Sequence, residues 1–390
     1  MVIAADAYEI ELEGTNREIA ALEPSAGGDL ERRTRLAFRF YHRASLAGVD
    51  SGFAAAERVI DRAIAEFGPQ EDLCLLKANL DFRFHRLAQV KRDLEMAPLL
   101  LGRFEGKSLA ADLDFQHGRY DRAREGYEKA IQENCTWDNL ARLAYFKRKM
   151  GDGDGADELY IQAENELTAK EMRSFAWLEL QRGELHLARG RHDGAGAHYR
   201  RANAAYPGWW HVDEHLAELM AAEGRSEEAI ELFQSVIERA RKPELQQTLG
   251  ELYVFIGRPD DAEPWFESAL AAYLESVARG DVHYFHHLAD FYADVREDGA
   301  EALKWARKDV ELRDNFATQS AVAWALYLDG QLEEAARWMD RALSSGVQDA
   351  HLFSQAATIF EAAGRGGEAT AFRRGAAILN PKYRSFHIHR

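Results

Sequence analysis

Histidine and carboxylate residues lie at helical spacing in two stretches of the 390-residue chain. His211 and His215 are four residues apart and would share one face of a helix, a spacing that can chelate a divalent metal ion. With Glu214 they read His-x-x-Glu-His, an order in which a metal-bound water could be activated for hydrolysis. His283 and His287 repeat the spacing. These four histidines are the candidate ligands for a divalent transition metal.

A chain with 14 histidines will also contain histidine pairs at this spacing by chance. One ion cannot bridge the two stretches: another helix pair separates them, and helices packed about 8–10 Å apart would place them on the order of 16–20 Å from each other. Each site would need carboxylates of its own, Glu218 and Glu251 for one and Asp290 and Asp294 for the other. We therefore favour histidines that contact solvent or a partner over metal binding, and metal binding over catalysis.

The balance of charge is acidic, with 49 Lys and Arg against 66 Asp and Glu and a formal net charge of −17. This sign disfavours nucleic acid, whose phosphates need a basic surface, and suits a basic or cationic partner. Cys74 and Cys135 are too few for a disulfide framework. No apolar run approaches the roughly 18 residues of a membrane span, and residues 1–13 lack the pattern of a secretory signal. We expect a cytoplasmic protein without membrane insertion, with the periplasm as the alternative if a leader has been removed.

The elements that carry these residues repeat along the chain. Glycines recur mostly 33–39 residues apart, with one double interval of 73: Gly118, Gly151, Gly190, Gly224, Gly257, Gly330 and Gly364. Seven residues before each glycine lies a small residue, and five residues after it lies an alanine. Four positions beyond that alanine, six of the seven units have an aromatic or large apolar residue, from Tyr127 to Met339. Such a period is typical of stacked two-helix units.

The pattern has a direct physical interpretation. Small residues on both helices of a unit let the backbones approach closely, and the large residue fills the remaining gap. The glycine ends the first helix in a left-handed conformation. Because one unit cannot bury its apolar face alone, neighbouring units stack around a continuous core. Residues 72–96 and 283–312 match the pattern poorly, and we expect each to form a degenerate unit.

Leu249-Gly250-Glu251-Leu252-Tyr253, followed by Gly257-Arg258-Pro259-Asp260-Asp261-Ala262, resembles the tetratricopeptide repeat. The resemblance extends over roughly residues 36–382. It implies an all-α fold, a right-handed superhelical solenoid of about ten helix-turn-helix repeats. We expect an N-terminal capping or mobile segment at 1–33, the solenoid at 34–382 and a C-terminal tail at 383–390.

The resemblance also implies that the first helix of each unit lines a concave groove. At the groove-facing offsets this sequence is rich in acids, histidines and aromatics. The residues expected to contact a partner are Trp177, Glu184, Glu214, Glu218, Glu251, Tyr253, Asp290, Trp324 and Tyr327, together with Arg142 and Arg148 in a locally basic stretch. Trp209-Trp210 is interpreted instead as a junction that packs against a neighbouring unit.

These observations favour a non-enzymatic scaffold that binds a protein or peptide, basic or cationic in character, in an acidic groove lined by histidines and aromatics. The family's clamp of Lys, Arg and Asn for a carboxylate terminus has no counterpart in the acidic units. No cofactor is expected. The alternative is a module that binds a metal or small ligand through His211, His215, His283 and His287. A metal-dependent hydrolase built on His211-Glu214-His215 is the disfavoured exception.

Overall fold

The computed structural model describes residues 6–25 and 28–387, and within them the chain is helical and contains no β-strand. The helices are α1 Ala7–Leu22, α2 Leu30–Ala47, α3 Phe53–Phe67, α4 Glu71–Arg83, α5 Leu87–Met96, α6 Phe104–Gln116, α7 Tyr120–Glu133, α8 Trp137–Met150, α9 Gly153–Asn165, α10 Met172–Leu187, α11 His192–Ala205, α12 Trp210–Ala222, α13 Ser226–Ala240, α14 Pro243–Phe255, α15 Pro259–Ala278, α16 Phe285–Asp290, α17 Gly299–Leu312, α18 Phe316–Leu328, α19 Leu332–Leu343, α20 Ala350–Ala362 and α21 Gly366–Leu379. A π-helical turn, Phe291–Val295, extends α16.

From α2 onward the helices pack as consecutive pairs, α2 with α3 through to α20 with α21. The repeated positions are buried as predicted: Ala144 and Ala156 are fully enclosed, and Tyr160 fills the gap between them. Where the first small residue is glycine the fit is tighter still, since a β-carbon on Gly183 would overlap the ring of Tyr199. The all-helical architecture of stacked repeat units is therefore confirmed.

The turns inside the pairs keep one backbone conformation. All seven repeat glycines have φ between 69° and 94°, the left-handed region that glycine enters without steric cost. In the two degenerate units a side chain occupies this position: His85 has φ 57° between α4 and α5, and Glu297 has φ 51° before α17. The degenerate units thus keep the turn and lose its usual residue.

The solenoid winds back onto itself. The indole nitrogen of Trp210 donates a hydrogen bond to the carbonyl of Leu46, 164 residues earlier (2.8 Å), and Asn315 donates to the carbonyl of Gln116, 199 residues earlier (3.2 Å). The backbone N–H of Gln348 lies 3.4 Å from the carbonyl of Met150. At about 34 residues a unit, a separation near 200 residues places each early unit against one about six units later. Consecutive turns of the superhelix are therefore in contact.

Both terminal segments pack against this structure. The N–H of Tyr8 in α1 bonds to the carbonyl of Pro207 (3.3 Å). At the other end Phe386 is 3% exposed and its ring lies 5.6 Å from that of Phe255. Residues 1–5, 26–27 and 388–390, which belong to the predicted N-terminal segment and tail, lie outside the described residues. None of the described helices is both long and apolar enough to cross a membrane.

Candidate functional site

A cavity of about 950 Å³ lies inside the first superhelical turn. Its walls come from the even-numbered helices α2 to α16, the first helix of each pair, together with residues that immediately precede α12 and α14. Four tryptophans define it, and we call it the tryptophan cavity. Its lining includes Tyr41, Arg83, Asp112, Trp137, Asp138, Arg142, Tyr145, Arg173, Trp177, Trp209, Trp210, His211, Glu214, Lys242, Glu244 and His287.

The tryptophans form two groups. Trp137 at the start of α8 and Trp177 in α10 are half-buried and meet edge to face, with ring centroids 6.3 Å apart. Trp209 and Trp210 are almost fully buried, and the ring of His211 lies 5.3 Å and 5.1 Å from theirs. Trp209-Trp210 was predicted to pack against a neighbouring unit; the indole of Trp210 bonds instead to α2, 164 residues earlier, and the same pair forms one wall of the cavity.

The charged groups in the lining are balanced, four basic against four acidic. Each basic group has an acidic neighbour: Arg142 with Asp112, Lys242 with Glu244 (3.1 Å), Arg173 with Glu11 (3.7 Å) and Arg83 with Asp50 (3.9 Å). Burial disfavours the charged ammonium of Lys242, but Glu244 and Asp50 outweigh that effect and raise its pKa.

Asp138 differs from the other acids of the cavity. Its carboxylate accepts a hydrogen bond from the hydroxyl of Thr136 (2.5 Å), and no Lys or Arg of the described chain forms an ion pair with it. It follows Trp137 directly in α8 and shares the cavity lining with Trp177. Two half-buried indole rings therefore share the cavity with an acid that forms no ion pair with its basic side chains.

The structure brings together part of the predicted set. Trp177, Arg142, Glu214, His211 and His287 all line the tryptophan cavity. The cavity also contains groups that the groove-facing offsets did not select, among them Trp137 and Trp210. A signal for these two was present: each is a tryptophan seven residues before the small packing residue of its unit, Ala144 and Ala217 respectively.

A second part of the predicted set is buried elsewhere as a polar cluster. Arg148 pairs with Glu184, and His215 lies 3.4 Å from Glu184 and 3.6 Å from Glu218. Glu218 and His215 have no exposed surface, and the tail residue His387 contacts Glu218 at 2.8 Å. Burial opposes charge on His215, but the hydrogen bond with Glu218 and the charge of Glu184 outweigh it and raise the pKa of the imidazole. These side chains contact one another and the tail.

Other predicted contact residues are spread along the C-terminal half. Tyr253 is 6% exposed and packs in the core, so it is not an exposed anchor. Glu251 accepts a hydrogen bond from Gln247 (2.8 Å). Trp324 and Tyr327 stack with centroids 5.0 Å apart and are half-buried. The Trp324 indole donates to Asp294 (2.9 Å), and Asp290 is exposed.

In each of the two predicted metal-binding pairs, the two histidines make contacts with different groups. His211 bonds to Glu214 (3.0 Å), whereas His215 belongs to the buried cluster. His283 lies 3.7 Å from Asp50, whereas His287 stacks on a tyrosine ring and lies 3.9 Å from Glu244. Within the part of the chain that the structure describes, neither pair has a third donor atom close enough to complete a metal site.

Comparison with known proteins gives one family and a set of distant structural likenesses. A tetratricopeptide repeat model matches residues 186–252, and no curated protein matches the sequence. Similar solved structures include the APC/C hetero-tetramer Cut9–Hcn1, with 14% sequence identity, coverage of 90% of this chain and 70% of that one, and a TM-score of 0.49. Yeast Tom70 has 15% identity, coverage of 95% of this chain and 88% of that one, and a TM-score of 0.43. Human IFIT1, solved as a dimer with PPP-AAAA, has 14% identity, coverage of 94% of each chain and a TM-score of 0.45. Likenesses this distant carry no argument about function.

Proposed function

We propose that this chain, in which a tetratricopeptide repeat model matches residues 186–252, is a non-catalytic scaffold that binds a basic segment of a partner protein. The binding site is the tryptophan cavity, where a lysine or arginine side chain of the partner packs on the indole rings of Trp137 and Trp177 beside Asp138. One observation carries this proposal. The half-buried indole rings of Trp137 and Trp177 share the cavity with Asp138, whose carboxylate forms no ion pair with a Lys or Arg among the described residues.

The chemistry of these groups favours a cation. An ammonium or guanidinium over an indole face gains about 0.5–2 kcal/mol, more as water is excluded. A charged hydrogen bond to Asp138 would add to this and fix the position of the cation. An acidic side chain would instead meet the Asp138 carboxylate and compete with acids that already neutralise Arg142 and Lys242. The formal charge of −17 draws basic partners toward the protein and repels nucleic acid.

An extended partner fits better than a compact small ligand. Trp324 and Tyr327 form a second aromatic pair outside the cavity, and the Trp324 indole donates a hydrogen bond to Asp294. A peptide that contacts both sites could use aromatic anchors at each. Arg148, Glu184 and Glu218 are occupied within the buried cluster and are left out of this surface.

Catalysis is not part of the proposal. The exception built on His211-Glu214-His215 would require both histidines to ligate one ion at a site open to substrate. His215 has no exposed surface and lies between two carboxylates. The same burial argues against these two residues as the metal site of the alternative module.

The test is a peptide array in which equal-length peptides carry lysine, arginine, glutamine or glutamate at the central positions. The proposal predicts binding of the lysine and arginine peptides. It also predicts that Asp138→Asn weakens the best of them about 5–30-fold, the equivalent of roughly 1–2 kcal/mol for one charged hydrogen bond.

Asp121→Asn is the matched control, because its side chain is 93% exposed on α7 and outside the cavity lining. It removes the same charge from the protein and should leave affinity unchanged. Equal binding of glutamate peptides, or equal losses in the two variants, would refute the proposal.

A further inference from the structure

One turn of the solenoid has a histidine where seven others have glycine. In a regular unit the N–H of Gly118 bonds to the carbonyl of Phe115, and the next N–H bonds back into α6. His85 makes the same bond to Phe82 (3.1 Å) with φ 57°. A side chain in this left-handed conformation costs about 1–2 kcal/mol relative to a relaxed backbone. Residues kept in such conformations cluster at functional sites, so the surroundings of this imidazole are informative.

The His85 ring lies against the other degenerate unit. Its centroid is 5.3 Å from that of His286 in α16. One donor atom from each of His85, His286 and Asp309 lies within 4.8 Å of the other two. These residues come from the α4–α5 turn, α16 and α17, so the group joins units that are about 200 residues apart in the chain. It is the only such group of three that the described residues contain.

The nitrogen atoms are suited to a ligand. The Nδ1 atoms of His85 and His286 are both buried and lack a hydrogen-bond partner, and an unpaired buried polar atom costs about 1–3 kcal/mol. Burial, with the charge of Arg313, lowers the pKa of His85 to about 2. Burial, with its neighbours His287 and Arg313, also lowers the pKa of His286. A buried imidazole nitrogen without a hydrogen-bond partner has a lone pair that a metal ion can take.

The carboxylate is held in place. Both oxygens of Asp309 accept hydrogen bonds from Arg313, at 3.0 Å and 2.6 Å. A carboxylate has about four lone-pair sites, so each oxygen keeps one for a further ligand. A hydrogen-bonded carboxylate is a common arrangement around metal ligands. A second cavity, of about 470 Å³, has His85 and His117 in its lining.

We propose that His85, His286 and Asp309 bind a divalent transition-metal ion of the zinc or cobalt type. Two imidazoles and one carboxylate are a ligand set that such ions take, with water in the remaining position. The site differs from the four histidines predicted from spacing, and it is independent of the peptide surface. An ion bound there would link consecutive turns of the superhelix and stabilise their contact.

The experiment is titration of the full chain, first stripped with chelator, with Co²⁺ alone. Binding is followed by visible absorption of the coordinated ion, and Zn²⁺ is then added as competitor. His85→Gly is the informative variant because glycine is the residue that this backbone position favours in seven other units. It removes a ligand without straining the turn, and should lower Co²⁺ affinity by at least roughly 100-fold.

Glu297→Gly is the matched control, since Glu297 has φ 51° at the equivalent turn and its side chain is exposed. It should keep the wild-type Co²⁺ affinity, as should His211→Ala. Thermal unfolding with and without Zn²⁺ gives a second readout: the ion should raise the Tm of wild type and of Glu297→Gly but not of His85→Gly. No Co²⁺ binding by wild type, or full binding by His85→Gly, would overturn the proposal.

Discussion

Contact between consecutive turns of the superhelix can be tested at one glycine. Gly48 ends α2 with φ 63° and lies against the indole of Trp210. A β-carbon there would overlap the ring and lie 2.7 Å from its Cε2 atom. In Gly48→Ala the left-handed backbone would cost about 1–2 kcal/mol, and overpacking a further 1–3 kcal/mol. We therefore expect a total loss of about 2–5 kcal/mol in the free energy of unfolding.

Gly224→Ala isolates the steric part of this effect. Gly224 also has a left-handed backbone, with φ 81°, but apart from its own chain neighbours no atom of the described chain lies within 4 Å of the position that a β-carbon would take. Its substitution should cost only the conformational part, about 1–2 kcal/mol. Urea denaturation followed by circular dichroism measures both losses. Equal losses in the two variants would show that Trp210 does not rest on Gly48 and would refute the stacking of turns.

Two further substitutions probe the terminal segments. Glu11 has a pKa lowered to about 2: burial raises it, but hydrogen bonds from His42 and Tyr206 outweigh burial. The ionised carboxylate of Glu11 therefore stabilises the fold above pH 4.5, and this contribution is lost as the pH falls toward 2. After discount for solvent screening, it adds about 1–2 kcal/mol to the free energy of unfolding. Glu11→Gln should remove that part of the acid dependence in urea titrations at stepped pH, and an unchanged pH profile would contradict the contact. Phe386→Ala should cost about 2–4 kcal/mol; a loss below about 1 kcal/mol in the same assay would show that the tail is not packed.

The sequence predicted the repeat unit well because its determinants are local. Ala156 and Tyr160 lie one helical turn apart, and close packing requires a small and a large residue at these positions whatever lies beyond the unit. The turn glycines are also determined locally, because the left-handed turn between the two helices of one pair requires them. Such constraints recur in every unit and can be read from one chain.

The path of the superhelix could not be predicted in the same way. Small rotations between neighbouring units accumulate over about five units before Trp210 reaches Leu46, and no local pattern encodes their sum. The contact between the tail residue His387 and Glu218, 169 residues apart, likewise follows from no pattern within a unit. The winding explains the degenerate units: His85 and His286 depart from the repeat pattern where the two turns meet.

The central claim is that a basic side chain of a partner occupies the tryptophan cavity. Its most direct test is photo-cross-linking with the tightest lysine peptide of the array, which carries a benzophenone next to the central lysine, followed by mass spectrometry of the linked residues. The account predicts cross-links in α8 and α10 around Trp137 and Trp177, with a lower yield at the same peptide concentration in Asp138→Asn but not in Asp121→Asn. Cross-links on the second helices of the pairs, or an unchanged yield in Asp138→Asn, would contradict it.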